Sequence, residues 1–199
     1  MINGRCNAMA NIILFHSILG LRAGVKKTAE RLNENGHKVY TPDLMNGEIF
    51  EEEFSATRRY QEIGIAEMMR RARTALQGYP EDAFYAGFSF GGVCALAFSA
   101  TRKGARGCIA LHAAVPPNAL GMKEWPAYVP VQVHFADRDI WRNQENIDLL
   151  KKSVKDSGSI FEYFGYPLGG HLFTDPDMPE YNPDASGQLW QRVDRFLSS

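Results

Sequence analysis

Apolar runs alternate with helical patterns along almost the whole sequence. The apolar runs, which are typical of strands buried on both faces, lie at 11–15, 37–44, 83–88, 107–113, 131–136 and 159–165. Segments with the apolar spacing of amphipathic or buried helices lie at 23–36, 57–77, 90–103, 143–156 and 184–198. Strands that alternate with helices form parallel βαβ units with right-handed crossovers. The pattern therefore predicts an α/β protein with one doubly wound, mostly parallel sheet of about six strands and helices on both faces.

The organisation of the chain is that of one domain. The sequence of 199 residues contains no linker, internal repeat or low-complexity tract, so we predict a single domain over residues 9–199. Residues 1–8 are predicted to form a flexible leader, and the sequence leaves open whether translation starts at Met1 or Met9. A net charge of -1 and a pI near 6.5 argue against a nucleic-acid-binding or membrane-surface protein, because both need a concentrated cationic face.

The cysteines indicate the cellular compartment of the protein and whether it binds a metal. Cys6, Cys94 and Cys108 are odd in number and lack the spacing of metal ligands. We therefore expect a cytoplasmic protein without disulfides. No apolar run approaches the length of a membrane span. We expect neither metal nor organic cofactor, and a monomer or homodimer.

The segment GFSFGG at 87–92 places a serine between a predicted strand and a predicted helix. A strand that turns directly into a helix with one residue exposed at the apex needs a strained backbone there. Residues two positions before and after the apex are pushed close together, so they must be small, as Gly87 and Gly91 are. The G-x-S-x-G spacing thus predicts that Ser89 is presented as a nucleophile.

A serine hydroxyl needs a base and an orienting acid. His171, in the glycine-flanked segment GGHLF beyond the last strand, is the favoured base among the five histidines. The acid follows the strand at 131–136, where Asp137 and Asp139 are both available. Asp139 is favoured because it lies further out, where it can reach His171, and Asp137 is the alternative. The order serine, aspartate, histidine is that of α/β-hydrolases.

Backbone amides at the same sheet edge are candidates for an oxyanion hole. Phe90 opens a helix, so its N–H lacks an intrahelical acceptor and lies at the positive end of the helix dipole. A second donor is expected from the loop after the first strand, where the N–H of Ile18 is preferred and that of Ser17 is the alternative.

These residues resemble the dienelactone hydrolase family, a compact branch of the α/β-hydrolase fold without a separate lid domain. The resemblance extends from the first strand to the last helix and is most specific in HKVYTPDL, GFSFGG, HFADRD and GGHLF. It implies Asp139 and His171 as the catalytic acid and base, and Ile18 as an oxyanion donor. It also implies hydrolase activity on small esters or lactones.

The sequence departs from the family pattern at three positions. Ser89 stands where the family usually has cysteine, and Ser17 where the family has a glutamate. Asp175 stands where the family has an arginine that binds the substrate carboxylate. This reversal of charge implies that dienelactone itself is not the substrate.

The expected function is hydrolysis of a small-molecule ester, thioester or lactone through an acyl-enzyme on Ser89. The alternatives are an acyltransferase with the same residues and a non-catalytic binding protein that retains the fold. The long loop at 114–130 is expected to cover part of the site. Residues expected to contact substrate are Ser17, Phe88, Trp125, Trp141 and Phe173.

Overall fold

The structure is a computed structural model that describes residues 9–199, so the leader predicted at 1–8 lies outside it. The strands are β1 (Asn11–Phe15), β2 (Lys38–Tyr40), β3 (Ala83–Phe88), β4 (Ala105–Leu111), β5 (Val131–Arg138) and β6 (Phe161–Gly169). The helices are α1 (Ala23–Glu34), α2 (Glu53–Ile63), α3 (Ile65–Ala75), α4 (Phe90–Thr101), α5 (Gln144–Asp156) and α6 (Pro183–Leu197).

The strands form one sheet in the order β2-β1-β3-β4-β5-β6, and every neighbouring pair is parallel. This confirms the predicted doubly wound sheet. The central strand β3 is buried along its whole length because its sequence, AFYAGF, is apolar on both faces. Since all strands run the same way, their carboxyl ends share one edge of the sheet. In such sheets that edge is where ligands bind.

Helices cover both faces of the sheet, as predicted. On one face, α1 and α6 contribute buried side chains such as Leu32 and Leu189. On the other face, α3, α4 and α5 contribute Met68, Leu96 and Leu150. Within residues 9–199 there is no separate lid domain.

The single long helix predicted at 57–77 is wrong. Two helices, α2 and α3, meet at Gly64, whose backbone has φ 80° and ψ 148°. That conformation lies outside the helical region, and glycine adopts it at little cost because it lacks a Cβ. The break separates α3, which packs on the sheet through Met68 and Ala72, from α2, which is free to take another direction.

The described residues contain no membrane-spanning helix, metal-ligand cluster or disulfide. None of their helices is long and apolar enough to cross a membrane, and no three of their His, Cys, Asp or Glu side chains are grouped as metal ligands. Cys94 and Cys108 are free and buried, and burial raises the pKa of Cys108 to about 12. Cys6 lies outside the described residues.

His134 is a buried histidine held within the sheet. Its ring nitrogens lie 2.9 Å from the Tyr166 hydroxyl and 2.9 Å from Gln132 Oε1. Burial, reinforced by the charge of Arg192, lowers the pKa of His134 from 6.5 to about 3. The folded protein therefore keeps this ring neutral at pH values where an unfolded chain would protonate it.

The free energy of unfolding is expected to fall as the pH drops below 6.5, the usual pKa of histidine. Between that value and about 3, the unfolded chain binds a proton that folded His134 does not, so unfolding is favoured by acid. From pH about 7 to about 5, His134 alone contributes a loss of about 2 kcal/mol. Urea denaturation at both pH values measures the loss. His134→Gln retains donor and acceptor groups and should show a weaker dependence on pH, whereas an equal dependence in both proteins would contradict the assignment.

Candidate active site

Ser89 lies at a sharp corner between β3, which ends at Phe88, and α4, which begins at Phe90. Its backbone has φ 53° and ψ -116°, a strained conformation for a residue with a side chain. The Ser89 N–H donates to the carbonyl of Leu111 at the end of β4, at 2.8 Å. The corner is therefore fixed to the neighbouring strand.

The flanking glycines make this corner possible. A Cβ on Gly87 would clash with the backbone of Gly91, and a Cβ on Gly91 would clash with the carbonyls of Phe15 and His16 in β1 and the loop after it. These are contacts with backbone atoms, which cannot move without displacing a strand or helix. The G-x-S-x-G spacing thus has a steric basis in this fold.

A chain of hydrogen bonds joins the three side chains that the sequence singles out. His171 Nε2 lies 2.7 Å from Ser89 Oγ, and His171 Nδ1 lies 2.7 Å from Asp139 Oδ2. Because the carboxylate only accepts, Nδ1 carries the ring proton and Nε2 is left to accept the proton of the serine hydroxyl. The Asp139 side chain is wholly buried, and its other oxygen accepts a 2.8 Å hydrogen bond from the N–H of Trp141.

The two candidate acids occupy different environments. Asp139 follows β5 and contacts His171. Asp137 lies within β5 and is exposed, and its carboxylate sits over Gly165 of the neighbouring strand β6. Of the two aspartates, Asp139 is therefore the one that the fold brings to the histidine.

Ile18 and Phe90, whose amides are the predicted oxyanion donors, line the same cavity as Ser89 and His171. Phe90 is the first residue of α4, so its N–H has no acceptor within the helix. In the β1 loop, the amides of Leu19 and Gly20 donate to Ser17, while that of Ile18 takes part in neither bond.

His16 fixes the peptide that carries the Ile18 amide. Its Nε2 accepts from the N–H of Leu44 at 2.8 Å, so its Nδ1 carries the proton and donates to the carbonyl of Ser17 at 2.6 Å. The carbonyl of Ser17 and the N–H of Ile18 belong to one planar peptide and point in opposite directions. Burial lowers the pKa of His16, which favours this neutral form.

The cavity beside Ser89 has a volume of about 380 Å³ and mainly apolar walls. The loop after β1, the start of α4 and the helix α2 form most of it. Tyr60 of α2 packs against Phe90, with ring centroids 5.2 Å apart. The lining residues are Ser17, Ile18, Leu19, Glu53, Thr57, Tyr60, Gln61, Ser89, Phe90, Val93, Trp141, His171, Leu172, Met178 and Glu180.

Two of the five expected substrate contacts, Ser17 and Trp141, line this cavity, and three do not. Phe88 packs edge-on against Trp190 of α6, with ring centroids 6.5 Å apart. Consecutive residues of a strand point to opposite faces of the sheet, so being next to Ser89 in sequence does not bring Phe88 to the same cavity. Phe173 is fully buried, with its ring against His112 and Tyr166.

Trp125 is the third of these residues, and it lies in the loop 114–130. Trp125 is 1% exposed, and its Nε1 donates to the carbonyl of Val129 within the same loop. Its backbone N–H donates to Ser153 of α5, so the loop is anchored on that helix. No residue of 114–130 lines the cavity at Ser89. Helix α2, by contrast, contributes four residues to the wall of this cavity.

Sequence reasoning missed the residues of α2 that face the cavity. Thr57, Tyr60 and Gln61 are three and four positions apart and so share one face of a helix. That spacing was available in the sequence, but the pattern does not tell whether a face meets the core or a cavity. Glu53 and Glu180 were missed for a different reason. An isolated acidic residue usually lies on the protein surface, so its presence in a sequence does not indicate a binding site.

Asp175 occupies the position at which the family resemblance places a substrate-binding arginine. It is buried, accepts a hydrogen bond from the N–H of Asp177 at 3.0 Å, and packs against Gly24 of α1. Burial raises the pKa of its carboxyl. Asp175 does not line the cavity at Ser89, so the expected repulsion of an anionic substrate does not come from a direct contact with this residue.

Solved structures with the same architecture include several hydrolases. A candidate dienelactone hydrolase from Klebsiella pneumoniae subsp. pneumoniae matches with 16% identity and a TM-score of 0.75, over 99% of this chain and 90% of that one. The dienelactone hydrolase-like promiscuous phosphotriesterase P91 from metagenomic libraries matches with 20% identity and a TM-score of 0.70, over 98% and 88%. A thermophilic esterase from Thermogutta terrifontis matches with 13% identity and a TM-score of 0.68, over 95% and 82%. At these identities the likeness establishes the α/β-hydrolase fold.

The sequence has no significant match among curated proteins. The model of the dienelactone hydrolase family, by contrast, matches residues 4–199. This match spans nearly the whole chain and confirms the resemblance that the motifs indicated. The chain therefore belongs to the dienelactone hydrolase family.

Proposed function

We propose that this member of a hydrolase family is a serine hydrolase that cleaves small esters, thioesters or lactones through an acyl-enzyme on Ser89. The observation that carries the proposal is the continuous hydrogen-bond chain from Ser89 through His171 to Asp139, with both contacts at 2.7 Å. A nucleophile, a base and an orienting acid in this relation are the arrangement that acyl transfer by serine requires.

The reaction begins with attack of Ser89 Oγ on the substrate carbonyl. His171 Nε2 takes the hydroxyl proton as the bond forms, and the buried carboxylate of Asp139 stabilises the resulting imidazolium. The carbonyl oxygen becomes an oxyanion, which we expect the amides of Phe90 and Ile18 to bind. One such donor is worth about two to three orders of magnitude in turnover.

Collapse of this intermediate breaks the ester bond and leaves the acyl group on Ser89. The imidazolium of His171 gives its proton to the departing alkoxide or thiolate. A water molecule then takes the place of the leaving group, loses a proton to His171 and attacks the acyl-enzyme. The proton returns to Ser89 as the acid is released, so the enzyme ends in its starting state.

The cavity supports a small and largely apolar substrate. Its volume of about 380 Å³ lies near the lower end of the usual range for small-molecule sites. Tyr60, Phe90, Val93 and Met178 provide apolar surface next to Ser89. Such walls suit a short acyl chain or a small ring.

Labelling with a fluorophosphonate tests this function. The probe phosphonylates a serine only where a base and an oxyanion site activate it, and the related esterase from Thermogutta terrifontis is phosphonylated by sarin. We expect one adduct per chain, located on the peptide that contains Ser89, and no adduct after denaturation. An unlabelled native protein would favour a non-catalytic binding protein over the proposed hydrolase.

A further inference from the structure

The charges around the cavity at Ser89 are all of one sign. Glu53, at the start of α2, and Glu180, in the segment before α6, both line it. Among residues 9–199, no lysine or arginine lines the same cavity. A substrate at Ser89 therefore meets two carboxylates and no cationic side chain.

Hydrogen bonds tie both carboxylates to residues near His171. Glu53 Oε1 accepts from the indole Nε1 of Trp141 at 3.1 Å, and the Trp141 ring lies 6.3 Å from the ring of His171. Glu180 Oε1 accepts from the N–H of Leu172, the residue after His171, at 3.3 Å. These donors are neutral, so they orient the acids without cancelling their charge.

Two arginines near the cavity, Arg22 and Arg59, bind partners outside it. Arg22 lies behind the cavity residue Met178, is 4% exposed, and donates to Asp177 O and to Glu51. Arg59, beside Tyr60 on α2, forms ion pairs with Glu48 and Glu62. Neither Glu53 nor Glu180 forms an ion pair within the described part of the chain. Neither carboxylate is thus neutralised by an ion pair with a described residue.

We propose that Glu53 and Glu180 make this site selective for neutral or cationic acyl groups and reject substrates that carry a free carboxylate. The inference rests on the proposed function and specifies the substrate class of the same site. Like charges separated by several ångströms at the edge of a low-dielectric cavity repel, and a desolvated substrate anion would find no partner there. A cationic group at the end of an acyl chain would instead lie near two carboxylates.

Three p-nitrophenyl esters with the same tether separate charge from size. They are the anionic mono-p-nitrophenyl adipate, its neutral methyl ester and the cationic trimethylammoniopentanoate. After subtraction of spontaneous hydrolysis, we expect kcat/KM for the anionic ester to be at least about tenfold below that for the neutral ester at low ionic strength. The cationic ester should react at least as well as the neutral one, and added salt should narrow the differences.

The double variant Glu53→Gln/Glu180→Gln identifies the source of this selectivity. It should reduce the discrimination between anionic and neutral esters several-fold, where discrimination is the ratio of the two kcat/KM values measured on the same protein. Glu30→Gln/Glu124→Gln is the matched control, because it removes the same charge from exposed residues outside the cavity. The control should discriminate as the unaltered protein does.

Two outcomes would overturn the inference. One is equal hydrolysis of anionic and neutral esters by the unaltered protein, and the other is equal discrimination by the double variant and its control. Failure of the proposed function would look different. In that case no ester would be hydrolysed above background and the fluorophosphonate would leave Ser89 unlabelled.

Discussion

Replacement of Ser89 by alanine is expected to lower kcat for short p-nitrophenyl esters by at least about 10⁴-fold. The variant lacks the oxygen that forms the acyl bond, and His171 is left with no hydroxyl to activate. KM should change little, because the apolar walls contributed by Tyr60 and Val93 are untouched. Steady-state kinetics on acetate and butyrate esters would measure both quantities.

The alanine variant should remain folded. Serine and alanine both carry a Cβ, so the backbone strain at φ 53° is similar in the two proteins. The 2.8 Å hydrogen bond from the residue 89 amide to Leu111 does not involve the side chain. Ser55→Ala, an exposed change on α2, is the matched control and should keep full activity. A tenth or more of the original turnover in Ser89→Ala, with unchanged circular dichroism, would rule out Ser89 as the nucleophile.

Local patterns predicted the elements of the central sheet closely. The strand predicted at 83–88 is β3, with the same bounds, because an unbroken apolar run ends there at the serine corner. The last strand was predicted to end at residue 165, yet β6 continues to Gly169. Pro167 lies within this strand and has no backbone N–H to donate. As β6 is an edge strand paired only with β5, the missing donor costs little.

The direction of α2 could not be read from local patterns. Residues on both sides of Gly64 have helical spacing, so the sequence favoured one helix, while the structure has two. Tertiary contacts favour the break, because α3 is buried on the sheet while α2 packs against Phe90 beside the cavity. The same limitation applies to Trp125, whose flanking prolines suggested a cover but whose indole is buried against its own loop.

Topology explains why the sequence could indicate which side chains meet. Ser89, Asp139 and His171 each follow a strand of a parallel sheet, so they share its carboxyl edge although they are far apart in sequence. Which side chains line the cavity depends on the face to which each strand-end residue points and on where the helices lie. Local patterns therefore did not show that Phe88 and Phe173 lie outside the cavity at Ser89.

Asparagine at position 139 is expected to lower kcat by about 10²- to 10⁴-fold. The amide is similar in size to the carboxylate, and its oxygen can still accept from the N–H of Trp141. Its nitrogen, however, would donate to Nδ1 of His171 and so favour the tautomer with a proton on Nε2. That tautomer cannot accept the proton of Ser89. Ester kinetics and the rate of fluorophosphonate labelling should fall together, while thermal unfolding changes modestly.

Asp137→Asn provides the comparison that decides which aspartate is used. It removes the same unit of charge two positions away, from a side chain that is exposed and lies over Gly165 rather than beside His171. Its kcat/KM should stay within about threefold of the unaltered protein, because a surface charge at that distance is largely screened. Equal losses in the two variants would mean that net charge matters at this strand end and the hydrogen bond to His171 does not. A large loss in Asp139→Asn alone would assign the effect to the buried carboxylate that bonds to His171, since both variants lose one unit of negative charge.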